Sequence, residues 1–272
     1  MGQDVRTGPR IGPQLGPRIG TQLTPGASMA SVTRDATSLV YVPASAAEWT
    51  ATMAVAGIGS GNPASLWLCQ EASGNLADSI GANTLTVAGA SWAYRQATTG
   101  WTRLALTVPD ASANHNAQNN ATVPDVQTTS VLLYGIATMP AAAPAANRRI
   151  AHLDGTTGAI IQLNTTPRLQ CVTGGAGGST VTGTATPTNA TRPLIACVNR
   201  AANTAKVYSD QEKITGTQGT YSGVSVGWGS SSGTTPAMGL LYGAMWTGTA
   251  AEMTDAQIKT LLQTLGWSVA WS

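Results

Sequence analysis

Apolar positions along the chain recur with two different periods, and the change from one to the other is sharpest near its end. Over Leu240–Trp246, Leu241, Gly243 and Met245 alternate with Tyr242, Ala244 and Trp246, the period-2 pattern of a strand packed on both faces. Past Thr254 the period lengthens. Ile258, Leu261, Leu262 and Leu265 fall at i, i+3, i+4 and i+7, with Lys259, Gln263 and Thr264 off that face. Thr254 and Gln257 make a capping box, and Gly266 stands where a left-handed residue ends a helix. The stretch therefore predicts a strand, a bend and a closing helix near 254–265, which should cap an open end or edge of whatever precedes it. A second capping box, Ser45 with Glu48, opens a helix near 46–56. It carries Trp49, Met53 and Ala56 on one face, ends at Gly57, and is expected on an edge of the β body.

Most other apolar runs are short. Ser38–Val42, Leu66–Cys69, Leu85–Val87, Ser130–Ala137, Arg149–Leu153, Ala159–Leu163, Arg168–Val172, Leu194–Arg200, Lys206–Asp210 and Val224–Gly227 read as strands. Turn signals stand between them at Asp154-Gly155, Asn164–Pro167 and Asn203, and the Ala/Pro-rich run 139–146 and Gly-rich run 174–179 read as exposed loops. Regular short strands with such turns predict an all-β protein, a two-sheet antiparallel sandwich with two short helices.

The first residues obey neither period. GPRIGPQL is followed directly by GPRIGTQL, and Ile11, Leu15, Ile19 and Leu23 return every four residues among prolines and glycines that forbid helix and central strand. A flexible linker is one reading. The regular aliphatics favour the other: an extended, polyproline-like arm, residues 1–35 with its connector, that orders in a groove on a partner or winds with other copies. Its partner-binding residues are then Arg10, Ile11, Leu15, Arg18, Ile19 and Leu23. Residues 36–272 form the sandwich domain.

Composition narrows the function. Charged residues are 10% of the chain, against about 25% in an average soluble domain, and Gly, Ala, Ser, Thr and Asn fill their place. Such a neutral, hydroxylated surface resembles extracellular, viral or carbohydrate-contacting β-proteins. The net charge of +2 comes from Arg6, Arg10 and Arg18 against Asp4, which leaves 11 basic and 11 acidic residues elsewhere and no basic face for nucleic acid. Cys69, Cys171 and Cys197 lie in apolar runs; buried free thiols are the favoured reading, one disulfide plus a spare the other. No secretory signal and no apolar run long enough to span a membrane are recognised, so no membrane insertion is expected.

Four short motifs, in order, carry a family resemblance. The first is Leu66-Trp67-Leu68-Cys69, then Glu71, Ser73-Gly74-Asn75, Asp78-Ser79 and Gly81, then a strand. The second is the hairpin Leu194–Arg200 with Lys206–Asp210, where Ser209 and Gln211 depart from the usual tight glycine turn. The third is Val224-Ser225-Val226-Gly227, and the fourth Thr254-Asp255-Ala256-Gln257-Ile258 in the closing helix. Together they resemble the laminin-G-like, concanavalin A-like jelly rolls over about Leu66–Trp267, as found in phage virion proteins. The resemblance implies a jelly-roll β-sandwich, some members of which bind calcium at one rim.

Catalytic signals are sparse. Glycosidases of this fold class set their carboxylates on one strand as Glu-x-Asp-x-Glu, the pair that glycosidic hydrolysis needs, and this chain has no such run. Asp210 and Glu212, beside Lys213 in a turn, read as a solvated charge cluster. Gly229–Gly233 fits GxSxG in form but lacks a following helix. His115 and His152 have no triad or zinc spacing. The expectation is a protein that is not an enzyme, with no cofactor. Calcium is the one metal to weigh, with Asp78 and Asp154 as candidate donors, although a turn role for each is simpler. Of the eight tryptophans, Trp49, Trp67 and Trp246 read as core, while Trp92, Trp101 and Trp228 flank loops and are candidate glycan contacts.

These features predict a virion structural protein of a bacteriophage, a capsid-decoration or fibre- or tail-attached protein, localised in the particle. The arm would hold it to other virion proteins, the sandwich would be displayed and could touch cell-surface glycan, and the protein would be a homo-oligomer. The alternative is a glycan-binding lectin or adhesin domain.

Overall fold

Alternation along the strands has sorted the side chains into two cores. In the computed structural model, residues 40–59, 61–89, 92–108, 115–119, 128–153, 160–174, 176–219, 225–229 and 237–272 are described, all within the unit Thr33–Ser272. The arm residues Arg10, Ile11, Leu15, Arg18, Ile19 and Leu23 and the calcium candidate Asp154 lie outside them.

The chain enters through helix α1 (Ala46–Val55), then strands β1 (Ser65–Trp67), β2 (Thr86–Ala88), β3 (Ala93–Gln96), β4 (Ala105–Val108) and β5 (Asn116–Asn119). Next come β6 (Val131–Thr138), β7 (Arg148–Leu153), β8 (Ile160–Leu163), β9 (Leu169–Val172) and β10 (Thr180–Thr182). The hairpin β11 (Thr191–Asn199) and β12 (Thr204–Ser209) follows, then β13 (Lys213–Thr217), β14 (Val226–Gly229), β15 (Met238–Thr247) and the closing helix α2 (Asp255–Thr264). One sheet of eight strands runs β13-β12-β11-β6-β15-β4-β3, with β1 also paired to β15; the other, of seven, runs β10-β9-β8-β7-β14-β5-β2. Every pairing among these strands is antiparallel, so the fold is the two-sheet jelly-roll sandwich expected.

Between the sheets lies the first core. A row crosses the seven-stranded sheet as Val181, Cys171, Ile161, Ala151, Trp228, Ala117 and Val87, each the register partner of the next and each in or against that core. Trp228 reaches a notch made by Gly135 and Gly243, partners on β6 and β15. A Cβ at Gly135 would overlap the indole, and one at Gly243 would crowd both Trp67 and Trp228.

The second core covers the outer face of the eight-stranded sheet. Here α1, α2 and the segment after α2 bury Trp49, Met53, Ile258, Leu261 and Leu262 on Tyr134, Ile195, Tyr242 and Trp246. The helices therefore lie on a sheet face, not on the edge or open end expected, because β6, β11 and β15 are apolar on both sides and one side needs a cover. A bulge at Leu240/Tyr242 interrupts the alternation and sends Leu241 to this second core. The chain has no phenylalanine, so ring volume comes from tryptophan and tyrosine; in this second core their polar atoms find partners, whereas Trp228 Nε1 in the first core has none among the described residues. Trp49 Nε1 donates to Tyr242 Oη (2.6 Å), Tyr242 donates to Pro43 O (2.7 Å), and Trp246 Nε1 donates to Gly61 O (2.8 Å).

Local signals hold where they depend on neighbours in sequence. Thr254 and Gln257 form both bonds of the capping box, and Gly266 is left-handed at φ +95°. At α1, Ser45 Oγ accepts from Glu48 N, but the Glu48 carboxylate turns to Ala44 N and the Tyr41 hydroxyl, so that box is half formed. All three cysteines are buried free thiols. Of the strand expected over Ser38–Val42, Tyr41 makes one bridge, Tyr41 N to Leu265 O at 2.7 Å, and Ser38 and Leu39 lie outside the described residues.

Candidate functional site

The outer face of the seven-stranded sheet has no helical cover among the described residues. On β8 and β9 alternation turns Ile161, Leu163, Leu169 and Cys171 inward, which leaves Gln162 and Gln170 outward as register partners. Gln162 Nε2 donates to Gln170 Oε1 (3.1 Å), and Gln170 Nε2 donates to Thr182 Oγ1 on β10 (2.8 Å). The amides are thus aligned head to tail. Arg149 on β7 is the register partner of Gln162 and extends the row. A bulge between Arg149 and Ala151 puts Ile150 and Ala151 both in the core, so the outward row steps along to His152. It then continues through Gly227 on β14 to Gln118 on β5 and Thr86 on β2.

This row is exposed at Thr182 and Thr86, half-buried at Gln162, Arg149 and Gln118, and buried at Gln170 and His152. Burial holds the Arg149 guanidinium below its usual pKa. Burial also lowers His152 to about 4, against the Gly229 carbonyl 3.2 Å from Nδ1, with Arg149 repelling the charged form. The imidazole is therefore neutral at neutral pH, and the Gly229 carbonyl assigns the proton to Nδ1. Its Nε2, out of solvent, has no hydrogen-bond partner among the described residues. Each amide offers a donor and an acceptor, as does a hydroxyl, and the guanidinium offers donors alone. Such a strip can exchange hydrogen bonds with hydroxyl groups.

The tryptophans proposed as glycan contacts are not brought together. Trp228 is corrected outright: it is fully buried between the sheets in the glycine notch, so no ligand reaches it. Trp92 is half-buried, donates Nε1 to Ala88 O (2.7 Å) and packs beside His115, 6.4 Å between ring centres. Trp101 is half-buried against Trp267, 5.9 Å away, in the helix-covered core on the opposite face.

The carboxylates also take structural posts. Asp78 Oδ1 accepts from Leu66 N, Ile80 N and Gly81 N, and Oδ2 from Asn83 N, at 2.9–3.1 Å. Burial works against its charge, but these N–H donors outweigh it and hold the pKa below the ordinary value. A carboxylate so occupied organises a turn and has little left for calcium. Asp210 and Glu212 are not the solvated cluster expected. Asp210 pairs with Arg192 at 2.6 Å and Glu212 is buried, because the loop after β10 folds over their turn. Among the described residues no group of three or more His, Cys, Asp or Glu could hold a metal ion. No helix among them is long and apolar enough to cross a membrane.

The fold is a two-sheet jelly-roll β-sandwich with one polar outer face. No protein-family model matches the chain, and no curated protein matches it in sequence. Solved structures do share the fold. Trypanosoma rangeli sialidase is similar at 12% identity and a TM-score of 0.53, over 73% of this chain and 32% of the sialidase. The binding domain of botulinum neurotoxin serotype C1 is similar at 9% identity and 0.53, over 75% of this chain and 52% of that one. That of botulinum neurotoxin DC, solved with rat synaptotagmin II, gives 10% and 0.53 over the same shares. The chain thus spans about a third of the sialidases and half of the toxin domains.

These likenesses correct one expectation. Sialidases are enzymes, and they share this fold with the chain, so the reading "not an enzyme" does not stand. The missing Glu-x-Asp-x-Glu run excludes one arrangement of carboxylates, not catalysis on this fold.

Proposed function

We propose that the chain is a lectin-like binding module that holds a hydroxyl-rich ligand, a glycan, on the outer face of its seven-stranded sheet. The observation that carries this is the aligned row Gln162–Gln170–Thr182 with Arg149 beside it. A sheet face left polar and, among the described residues, without a helix layer is suited to a ligand. The binding domains and sialidases that share the fold are consistent with recognition on such a sandwich. A glycan array with the full chain tests it. Selected glycans should bind, and Gln162→Ala with Gln170→Ala should weaken them about tenfold or more, as expected for losing two hydrogen-bonding groups. Unchanged binding in the double variant would move the site elsewhere.

We further propose that the module is a bacteriophage virion protein, held to its neighbours and to other copies by the arm. The support is the tandem repeat with aliphatics every four residues and arginines every eight, together with the neutral, hydroxylated sequence of the sandwich. Deleting residues 1–25 should leave a folded sandwich that fails to join the particle. Incorporation at the level of the full chain would show that the sandwich itself does the holding.

A further inference from the structure

The turn between β12 and β13 gathers unused acceptors. Asp210 Oδ1, Gln211 Oε1 and Glu212 Oε1 are all out of solvent contact and without a hydrogen-bond partner among the described residues. Glu212 is 7% exposed. Its Oε2 accepts from Thr184 N (2.6 Å) and Ala185 N (3.1 Å), and it rests so closely on Gly183 that a Cβ there would overlap the carboxylate. Beside this turn lies a cleft of about 540 Å³, walled by Gln211 and Glu212, by Thr182 and Thr184, and by Lys213 and Trp271.

The cations around the cleft already have partners, and one of them, Lys213, stands in its wall with Nζ 5.8 Å from the centre of the Trp271 ring. Arg192 pairs with Asp210 at 2.6 Å. Lys206 and Lys213 both pair with Asp255, at 2.6 and 3.3 Å, and Lys213 also donates to Ser272 O at 2.9 Å. Asp255 therefore takes two lysines, and no ion pair is formed by Glu212 among the described residues. A buried carboxylate is costly unless it is paired or fully hydrogen-bonded. The neighbouring amide oxygen wants a donor as well, so the complement is a group with several N–H bonds and a positive charge. Thr184 N and Ala185 N hold the Glu212 carboxylate in place, whereas the Gln211 amide turns on a soft sp³–sp² torsion and can meet a donor entering the cleft without any backbone change.

We propose that this cleft binds an organic cation, a guanidinium or primary ammonium group, whose N–H donors reach Glu212 and Gln211 while its stem lies along the Thr182 and Thr184 wall. A metal ion is a poorer fit, since one carboxylate and one amide make few hard ligands. The cation has two sources, an arginine or lysine side chain of a protein partner or an amino sugar. The site is separate from the outer-face row, sharing only Thr182 with it, so its failure would leave the glycan reading standing.

The test is an amide chemical-shift titration of the full chain with four probes: Nα-acetylarginine amide, its neutral citrulline analogue, glucosamine and N-acetylglucosamine. The arginine compound should shift the Thr184 and Ala185 amides, with the citrulline analogue about tenfold weaker or worse, the scale of a charged hydrogen bond. Glu212→Gln should weaken arginine by a similar factor, and Gln162→Ala should not. Where Glu212→Gln does not fold, Gln211→Ala should weaken it in the same direction. Glucosamine acting like arginine assigns an amino sugar; arginine alone assigns a peptide side chain. Equal binding of arginine and citrulline overturns the proposal. So does the absence of shifts at these amides with all four probes, which would leave the acceptors to buried water.

Discussion

The two outer faces of the sandwich are built by the same alternation, yet one is roofed by helices and the other is a polar strip. On the eight-stranded sheet Tyr134, Ile195, Tyr242 and Trp246 point away from the inter-sheet core, and they would expose a large apolar surface without α1 and α2. On the seven-stranded sheet Gln162, Gln170 and Arg149 occupy the equivalent outward positions and need no roof. Strand composition records the difference. β6 and β15 are nearly unbroken apolar runs, as strands buried on both faces are, while β8 and β9 read Ile-Ile-Gln-Leu and Leu-Gln-Cys-Val, each with one amide at an outward position. One face is covered for stability; the other is left polar and without a helix among the described residues, and the proposed ligand lies there.

If that division is right, the largest losses of stability belong to the roofed face. Trp49 is fully buried there, with ring centres 4.8 Å from Trp246 and 5.7 Å from Tyr134, and it bonds Tyr242. Trp49→Ala should cost about 3–5 kcal/mol in urea unfolding, the usual range for a large buried ring. Leu262, buried on α2, should cost about 2–5 kcal/mol as Leu262→Ala. An unchanged midpoint for Leu262→Ala would mean that α2 is not docked, and the contrast between the faces would fail.

The roof also marks the limit of what the sequence reveals. The closing helix was legible to the residue, because Thr254, Gln257 and Gly266 act on backbone groups within one turn of themselves. Its docking place was not, since the face it covers is assembled from β6, β11 and β15, far apart in the chain. Trp228 was misread for a related reason. It follows the predicted strand Val224–Gly227 and so reads as flanking a loop, whereas Gly135 and Gly243, the residues that make room for the indole, stand on other strands. Gln162 and Gln170 stand in predicted strands with no aromatic ring or carboxylate to mark them. Their signal is a lone amide at the outward position of an apolar strand. The burial of Glu212 had no local signal, because its cover comes from Thr184 and Ala185 on the far side of β11.

The pH profile sharpens the contrast next. His152 stands on the polar face but is buried, and its folded pKa is about 4 against an ordinary 6.5. The unfolded chain thus binds the proton more readily between those values. Stability is fully present above about pH 6.5 and falls as pH drops toward 4, by up to about 3 kcal/mol for this group. His152→Gln keeps a donor for Gly229 O and does not titrate, so its unfolding free energy should be flatter across that window. A parallel fall in both proteins would assign the acid sensitivity to other groups.

The smallest effect is expected at the row itself. Gln162 is half-buried, and its one side-chain bond within the row is the donation to Gln170 Oε1 at 3.1 Å. Gln162→Ala removes that bond and leaves one acceptor of Gln170 unmet, while Gln170 keeps its own bond to Thr182. The net worth of such a bond is about 0.5–1.5 kcal/mol, and no cavity opens in either core. Urea unfolding should therefore move by about 1 kcal/mol or less, well below the change for Trp49→Ala. A loss of about 3 kcal/mol or more would show that the amide row is itself a structural element holding β8 to β9 and β10. The polar face would then be committed to the fold, as the roofed one is, and the ground for placing a ligand there would be gone.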